Sequence, residues 1–170
     1  VKRVLDRRRA LFLARRGESI DHTTAAANLA RLIEHVAARP GQRVLNAADP
    51  DAPSALEIAR TVAAHLGHAW EEILLDDAAP RGPEATELGA TPWDTPSPIV
   101  LDTSAARALG YLPAGTYATT VVEELDWLVS RARRDEDFGA TLVRDSSLAR
   151  FFDYAAEDRH LVARGGAARR

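Results

Sequence analysis

The sequence contains no cysteine, which excludes disulfides and thiolate chemistry. It also lacks methionine, and Lys2 is the single lysine among its 22 basic residues. A lysine Schiff base or a phosphate-binding P-loop lysine is therefore excluded from the rest of the chain. No apolar run approaches the roughly 18 residues of a membrane span, and no signal-peptide pattern opens the chain. Together these absences lead us to expect a cytoplasmic protein with no membrane partner.

The composition is that of an ordinary folded domain, with 46% hydrophobic and 28% charged residues over 170 positions. A net charge of −3 and a pI of about 6.0 argue against a nucleic-acid partner, which would favour a strongly basic face. The chain begins at Val1 and has no methionine, which indicates a start inside a longer parent sequence. Removal of an initiator methionine would explain the same observation.

The most regular stretch runs from Gln42 to Gly67 and reads QRVLNAADPDAPSALEIARTVAAHLG. Residues 43–47 are short and apolar enough for a buried strand, and residues 48–53 have the prolines and aspartates of a tight turn. Ser54 is placed to cap a helix, Glu57 completes a capping box, and the closing glycine is placed to end the helix. We expect the acidic turn between strand and helix to border a pocket, as such loops do in α/β layers.

Further short strands and helices complete the expected secondary structure. Strands are predicted at residues 10–14, 68–75 and 99–102, and helices at residues 22–39, 105–109 and 116–134. Apolar residues at helical spacing continue through residues 144–164, and a helix with so many aromatic side chains must dock on something. We therefore divide the chain into an α/β domain of residues 1–134 and a helical C-terminal tail of residues 135–170.

The helix at residues 22–39 has a predicted cap and a predicted buried face. Thr23 or Thr24 is placed to cap its start. Four apolar side chains are predicted to form its buried stripe: Leu29, Leu32, Ile33 and Val36.

Two of these segments carry a resemblance to a known family. The stretch VLNAADPDAPSALEIARTVAAHLG, and later LDTSAARALGYLPAGTYATTVVEELDWLV, resemble consecutive landmarks of the extended short-chain dehydrogenase/reductases, the NAD-dependent epimerase/dehydratase family. The helix start HTTAAANLARL is similar to a third landmark, in which Asn28 stands where the family has an aspartate. The sequence departs from the family at Ala105, where a lysine is common. The resemblance covers roughly residues 3–129.

The resemblance implies only the C-terminal, substrate-binding half of that family. Its fold class would be α/β, the C-terminal part of an extended Rossmann-type fold, with short strands and three main helices. The chain has no G-x-G-x-x-G turn for a cofactor pyrophosphate, and with Lys2 as its only lysine the family's catalytic Tyr-x-x-x-Lys is impossible. NAD or NADP would then be bound outside this segment, by an N-terminal Rossmann half of the same parent protein or by a separate chain.

The candidate substrate contacts come from loops and helix starts. They are His22, Asn28, Arg81, Trp93 and Asp94. His22 could equally serve as a surface or capping residue, and Trp93 could simply fix its proline-rich loop to the body of the protein. Arg81 is the only basic residue of that loop and a candidate anion contact. Nucleotide sugars are the commonest substrates in the family, although no motif here selects one.

The sequence leaves several alternative functions open. The chain could be a non-enzymatic protein- or effector-binding module that uses Phe151 and Phe152 as its contact. It could also be a hydrolase or lyase that uses Asp76, Asp77, Asp94 and a histidine, which would require a perturbed carboxylate in a closed pocket. His65 and His68 have a spacing that only superficially suggests a metal, since Gly67 interrupts the helix that would hold both rings. We expect the isolated chain to expose apolar surface and to self-associate.

Overall fold

The computed structural model describes residues 1–41, 43–76, 88–135 and 147–167. In this part of the chain two short parallel strands, β1 (Ala10–Leu13) and β2 (Glu71–Leu74), are surrounded by helices. The helices are α1 (Lys2–Leu5), α2 (Ala26–Ala37), α3 (Ala55–His65), α4 (Ser104–Ala108), α5 (Tyr117–Thr120), α6 (Val122–Arg134) and α7 (Tyr154–Ala167), with 3₁₀ turns at Ala14–Gly17 and Ser147–Phe152. The mixed α/β class is confirmed.

The strand pair forms the first core. Ala10 pairs with Glu71 and Leu13 with Leu74, in parallel register. All four β1 residues are buried, which confirms the strand predicted at residues 10–14. Ala10, Phe12 and Ile73 form a buried cluster, and Leu161 of α7 packs against it. The predicted helical tail therefore does dock, on the sheet.

The strand predicted at residues 43–47 is wrong, because no ladder of backbone hydrogen bonds forms there in the described chain. The burial of the segment nevertheless alternates: Leu45 and Ala47 pack against a second cluster, whereas Val44 is 96% exposed. The Asn46 side chain donates to the Asp102 carbonyl at 2.9 Å. A side chain, rather than a neighbouring strand, therefore joins this segment to the backbone at Asp102.

The strand predicted at residues 99–102 is reduced to a single bridge between Asp21 and Ile99. The backbone N–H of Ile99 donates to Ile20, and that of His22 donates to Ile99. The next amide along, that of Leu101, donates instead to Nδ1 of His22 at 3.0 Å. A ladder cannot continue because the imidazole has taken the place of a backbone acceptor.

Helix α2 packs through a different face from the predicted one. Its two buried residues are Asn28 and Leu32, whereas Leu29 and Ile33 are 40% and 56% exposed. Leu32 packs with Ala106 and Tyr111 in the second core cluster. Four hydrogen bonds hold the side-chain amide of Asn28 in the interior. Asn28 therefore occupies the buried face in place of the expected Leu29.

Helix α3 begins and ends as predicted. The Ser54 hydroxyl accepts from the Glu57 amide, and the Glu57 carboxylate accepts from the Ser54 amide at 2.7 Å. Gly67 follows the last helical turn with a φ of +62°, a conformation that glycine adopts without a Cβ penalty. The helix predicted at residues 116–134 is divided at Val121 into α5 and α6.

The tail is also held by charges. The Glu157 carboxylate, 3% exposed, lies 2.6 Å from Nη1 of Arg3 and 3.1 Å from Nη2 of Arg8. The Tyr154 hydroxyl donates to Asp6 at 2.6 Å. The two ends of the chain are therefore packed together. Among the helices of the described residues, none combines the length and apolar character needed to cross a bilayer.

Candidate functional site

An open pocket of about 740 Å³ lies where the first turns of α2 and α6 meet the loop that carries Trp93. Its floor includes Asp49 of the acidic turn and Tyr117 of α5. The full lining is Asp21, His22, Thr23, Thr24, Ala25, Ala26, Ala27, Asp49, Trp93, Tyr117, Thr120, Val121, Glu123, Glu124 and Trp127. The acidic turn borders a pocket, as the sequence predicts.

Asp49 is the structural centre of this pocket. It is 1% exposed, and its carboxylate accepts from the Thr23 hydroxyl at 2.6 Å, the Ala25 amide at 2.8 Å and the Asn28 amide group at 2.7 Å. Ala25 is the N-cap position of α2 and has no capping side chain of its own. The expectation that Thr23 or Thr24 caps α2 is therefore wrong, since a carboxylate from a distant turn occupies that role.

Asn28 lies beneath the pocket rather than on its surface. The side chain is 1% exposed, and its amide group donates to Asp49 and to the Gly115 carbonyl. Its oxygen accepts from the amides of Ala114 and Gly115 at 2.6 and 3.2 Å. Every polar atom of the Asn28 side chain bonds within the protein, and a substrate contact for Asn28 stays a prediction. The side chain positions Asp49 and the turn before α5.

His22 lines the pocket, but both ring nitrogens bond to backbone. Because Nδ1 accepts from the Leu101 amide, Nε2 carries the proton and donates to the Asp49 carbonyl at 2.9 Å. A ligand contact for His22 stays a prediction, and a ligand in this pocket would meet the carbon surface of the ring rather than a free nitrogen.

The remaining three candidates have different locations. Trp93 lines the pocket with 42% of its surface exposed. Asp94 is outside the lining: its carboxylate accepts from Nε of Arg15 at 2.8 Å and from the Ser19 hydroxyl at 3.3 Å. Arg81 lies outside the described residues.

Sequence reasoning did not select five important lining residues: Asp49, Tyr117, Glu123, Glu124 and Trp127. Trp127 is one of the landmarks of the resemblance, but nothing in its spacing shows that it is 53% exposed beside α2. Glu123 and Glu124 resemble ordinary acids of a first helical turn. The acidic turn was the available signal for Asp49, because Ser54 and Glu57 already cap the helix that follows, which leaves this aspartate free to cap another.

The electrostatic character of the pocket is negative. Asp21, Asp49, Glu123 and Glu124 contribute carboxylates, and no lysine or arginine is present among the described lining residues. Burial raises the pKa of Tyr117, and the Asp49 carboxylate raises that pKa further by repelling a phenolate. The phenol therefore stays neutral and can donate a hydrogen bond.

The other sequence-based sites do not assemble in the described part of the chain. His65 Nε2 lies 2.8 Å from Asp126, whereas His68 Nε2 meets the Arg8 carbonyl at 3.0 Å. No group of three potential metal ligands converges among the described residues. Asp76 bonds to Arg16 with its side chain 81% exposed, and Asp77 lies outside the described residues.

A scan of the sequence against protein-family models finds no match, and a search of curated proteins finds none either. The family resemblance described above therefore stays a prediction, and the geometry of the pocket has to carry the functional argument.

Proposed function

We propose that this chain is the substrate-recognition portion of an NAD(P)-dependent epimerase, dehydratase or reductase-like protein. In this proposal the pocket orients a small substrate, a nucleotide sugar being the commonest kind in the resembled family, against a nicotinamide bound outside the chain. Binding and orientation would be its contribution to the reaction, since correct placement alone can lower a barrier by about 7–11 kcal/mol.

The observation that carries the proposal is that all three resembling segments contribute to one pocket. The segment at the start of α2 supplies residues 22–27, the acidic turn supplies Asp49, and the α5–α6 segment supplies residues between Tyr117 and Trp127. These segments are far apart in sequence. A concave surface with aromatic walls and a few polar groups is the usual form of a small-molecule site.

The pocket residues do not fit the cofactor itself. A dinucleotide pyrophosphate needs amide donors at a free helix N-terminus or basic side chains. Here the Asp49 carboxylate already accepts from the Ala25 amide at the start of α2, and the other lining acids would repel a phosphate. This agrees with a cofactor bound elsewhere.

The proposal is tested by nuclear magnetic resonance with three indole signals as reporters. Trp93 and Trp127 line the pocket, whereas Trp70 donates to the Ala59 carbonyl and lies outside the lining, so it serves as an internal control. We expect methyl glycosides, and the sugar end of nucleotide sugars whose phosphates stay outside the cavity, to shift the first two signals and not the third. NADH and NADPH should shift none of them.

Two results would contradict the proposal. Saturable NADH binding at Trp127 would place the cofactor in this pocket, and a panel of sugars that leaves both reporter signals unchanged would remove its recognition role. Trp127→Phe assigns the signal while it keeps an aromatic wall, and Trp70→Phe is its matched control.

A non-enzymatic interaction module is the second candidate, favoured by the exposed apolar side chains of Leu29 and Ile33 on α2. Residues four apart lie on the same helix face, so they form one patch. Phe152 is less available for this purpose, because its ring lies near the Lys2 and Arg3 cations and the residue is partly buried. Capture of a specific protein that Leu29→Ser and Ile33→Ser abolish would support the module.

A further inference from the structure

The pocket combines two exposed indoles with an excess of negative charge. Trp93 and Trp127 are 42% and 53% exposed in the same cavity. Large, partly exposed indoles in a concave site offer stacking and cation–π surface. The sign of the charge around them then decides which ligand this surface favours.

Two helix N-termini lie at the pocket and would by themselves favour an anionic ligand. Helices α2 and α6 both begin at the pocket, and each N-terminus carries about half a positive charge. That total of about one positive charge faces the four carboxylates of the lining. Asp49 bonds directly to the Ala25 amide, and Glu123 and Glu124 lie in the first turn of α6. The net charge is therefore about −3, and the helix ends do not reverse it.

Three of these carboxylates are available to a ligand. Asp49 is buried and already accepts three hydrogen bonds, so it contributes charge but no contact. Asp21, Glu123 and Glu124 have no salt bridge to any cation of the described residues. Like charges collected around a cavity without counterions lower the cost of bringing a cation into it.

We infer that this pocket binds an organic cation, namely a substrate that carries a protonated amine or a quaternary ammonium group. The indoles of Trp93 and Trp127 supply the aromatic surface, and the carboxylates of Asp21, Glu123 and Glu124 supply the countercharge. The inference rests on the proposed function, because it names the substrate class of the same pocket. A phosphate-bearing part of any substrate must then lie outside this cavity.

The test compares choline with 3,3-dimethylbutan-1-ol, which has the same shape without the charge, and with adenosine diphosphate as an anion. The indole signals report binding, with Trp70 as the internal control. We expect choline to shift the Trp93 and Trp127 signals with a dissociation constant at least about fivefold lower than that of the neutral isostere. Raising the salt concentration should narrow this difference, because it screens exposed carboxylates.

A charge-matched pair of variants locates the effect. Glu123→Gln with Glu124→Gln should remove most of the preference for choline over its isostere. Glu34→Gln with Glu71→Gln changes the net charge equally, but both side chains are exposed outside the pocket, so the preference should persist. Loss of the preference in both double variants would mean that only the overall charge matters, which overturns the inference.

The outcomes separate this inference from the proposed function. Equal affinity for choline and its isostere, or tighter binding of adenosine diphosphate, overturns the cation preference while the pocket stays a ligand site. No shift of either reporter with choline, the isostere, the nucleotide or the sugars overturns both proposals.

Discussion

A single buried carboxylate organises the candidate site. Asp49 joins the acidic turn to the start of α2 and, through Asn28, to the turn that precedes α5. A buried charge without partners would be very costly, but here three donors surround it and a helix N-terminus adds a favourable dipole. The neighbouring Asp51 acts in the same way on α5, since its carboxylate accepts from the Tyr117 amide at 2.9 Å.

Two substitutions at Asp49 separate hydrogen bonding from charge. Asp49→Ala leaves three buried donors without an acceptor, so we expect a loss of about 3 kcal/mol or more in the free energy of unfolding. Asp49→Asn can still accept from Ala25 and Asn28 and can donate to the Thr23 hydroxyl. It should cost about 1 kcal/mol, the contribution of a charge at a helix N-terminus.

Urea denaturation measures both values. The Tyr117 amide and the Trp127 indole signals would show whether the pocket keeps its shape in each variant. Equal losses for the two variants would show that the charge, rather than the hydrogen bonds, holds this site together.

At the scale of elements, helix α3 is stabilised by hydrogen bonds at its own first turn. The capping box of Ser54 and Glu57 satisfies amides that the first turn leaves unpaired. Hydrogen bonds from the Ser54 backbone and side chain lower the pKa of Glu57 below its usual value. The helix start is thus stabilised by the ionised form of Glu57.

Ser54→Ala should lower the free energy of unfolding by about 1 kcal/mol, the usual cost of losing an N-cap.

Because the folded-state pKa of Glu57 lies below the unfolded value, the contribution of Glu57 to stability is present above the unfolded pKa and disappears as the pH falls through the folded one. The difference between Glu57→Gln and the parent protein should therefore shrink on acidification. Urea titrations at neutral pH and at pH 3 check this, and a constant difference would contradict it.

Elements with local signals could be predicted from the sequence, and elements with distant partners could not. The α3 cap and Gly67 are readable because every group involved lies within one helix and its two ends. The strands expected near Leu45 and Leu101 have a correct alternation or apolar character, but a ladder needs a neighbour, and here Asn46 and His22 side chains take that place. Sequence alone cannot show which neighbour a segment meets.

The residues of the candidate site also divide into those with a local sequence signal and those whose role depends on a distant partner. His22 and Trp93 could be placed at the pocket because they lie at a helix start and on a proline-rich loop. Trp127 and Asp49 could not, since their roles arise only when α6 and the acidic turn meet α2. The inward rotation of Asn28 has the same origin, because its partners are 21 and 87 residues away in the sequence.

At the scale of the whole molecule, the two ends of the chain hold each other. Glu157 of α7 lies between the guanidinium groups of Arg3 and Arg8, and both cations lie near the Tyr154 ring. Leu161 of the same helix reaches the cluster beneath the sheet. Helix α7 therefore contributes to the core around β1.

Glu157→Gln should destabilise the protein by about 3 kcal/mol, because it removes the carboxylate partner of the largely buried Arg3 and leaves Arg8 with only the exposed carboxylate of Asp158. Asp158→Asn also removes a negatively charged partner of Arg8. The Asp158 carboxylate is 58% exposed, however, so its loss should leave the stability nearly unchanged. Hydrogen exchange would show where the effect lies: the β1 amides should lose protection in Glu157→Gln and keep it in Asp158→Asn. If α7 amides alone exchanged faster while β1 stayed protected, the tail would be an appendage, and its contacts with Phe12 and the sheet would contribute little to the core.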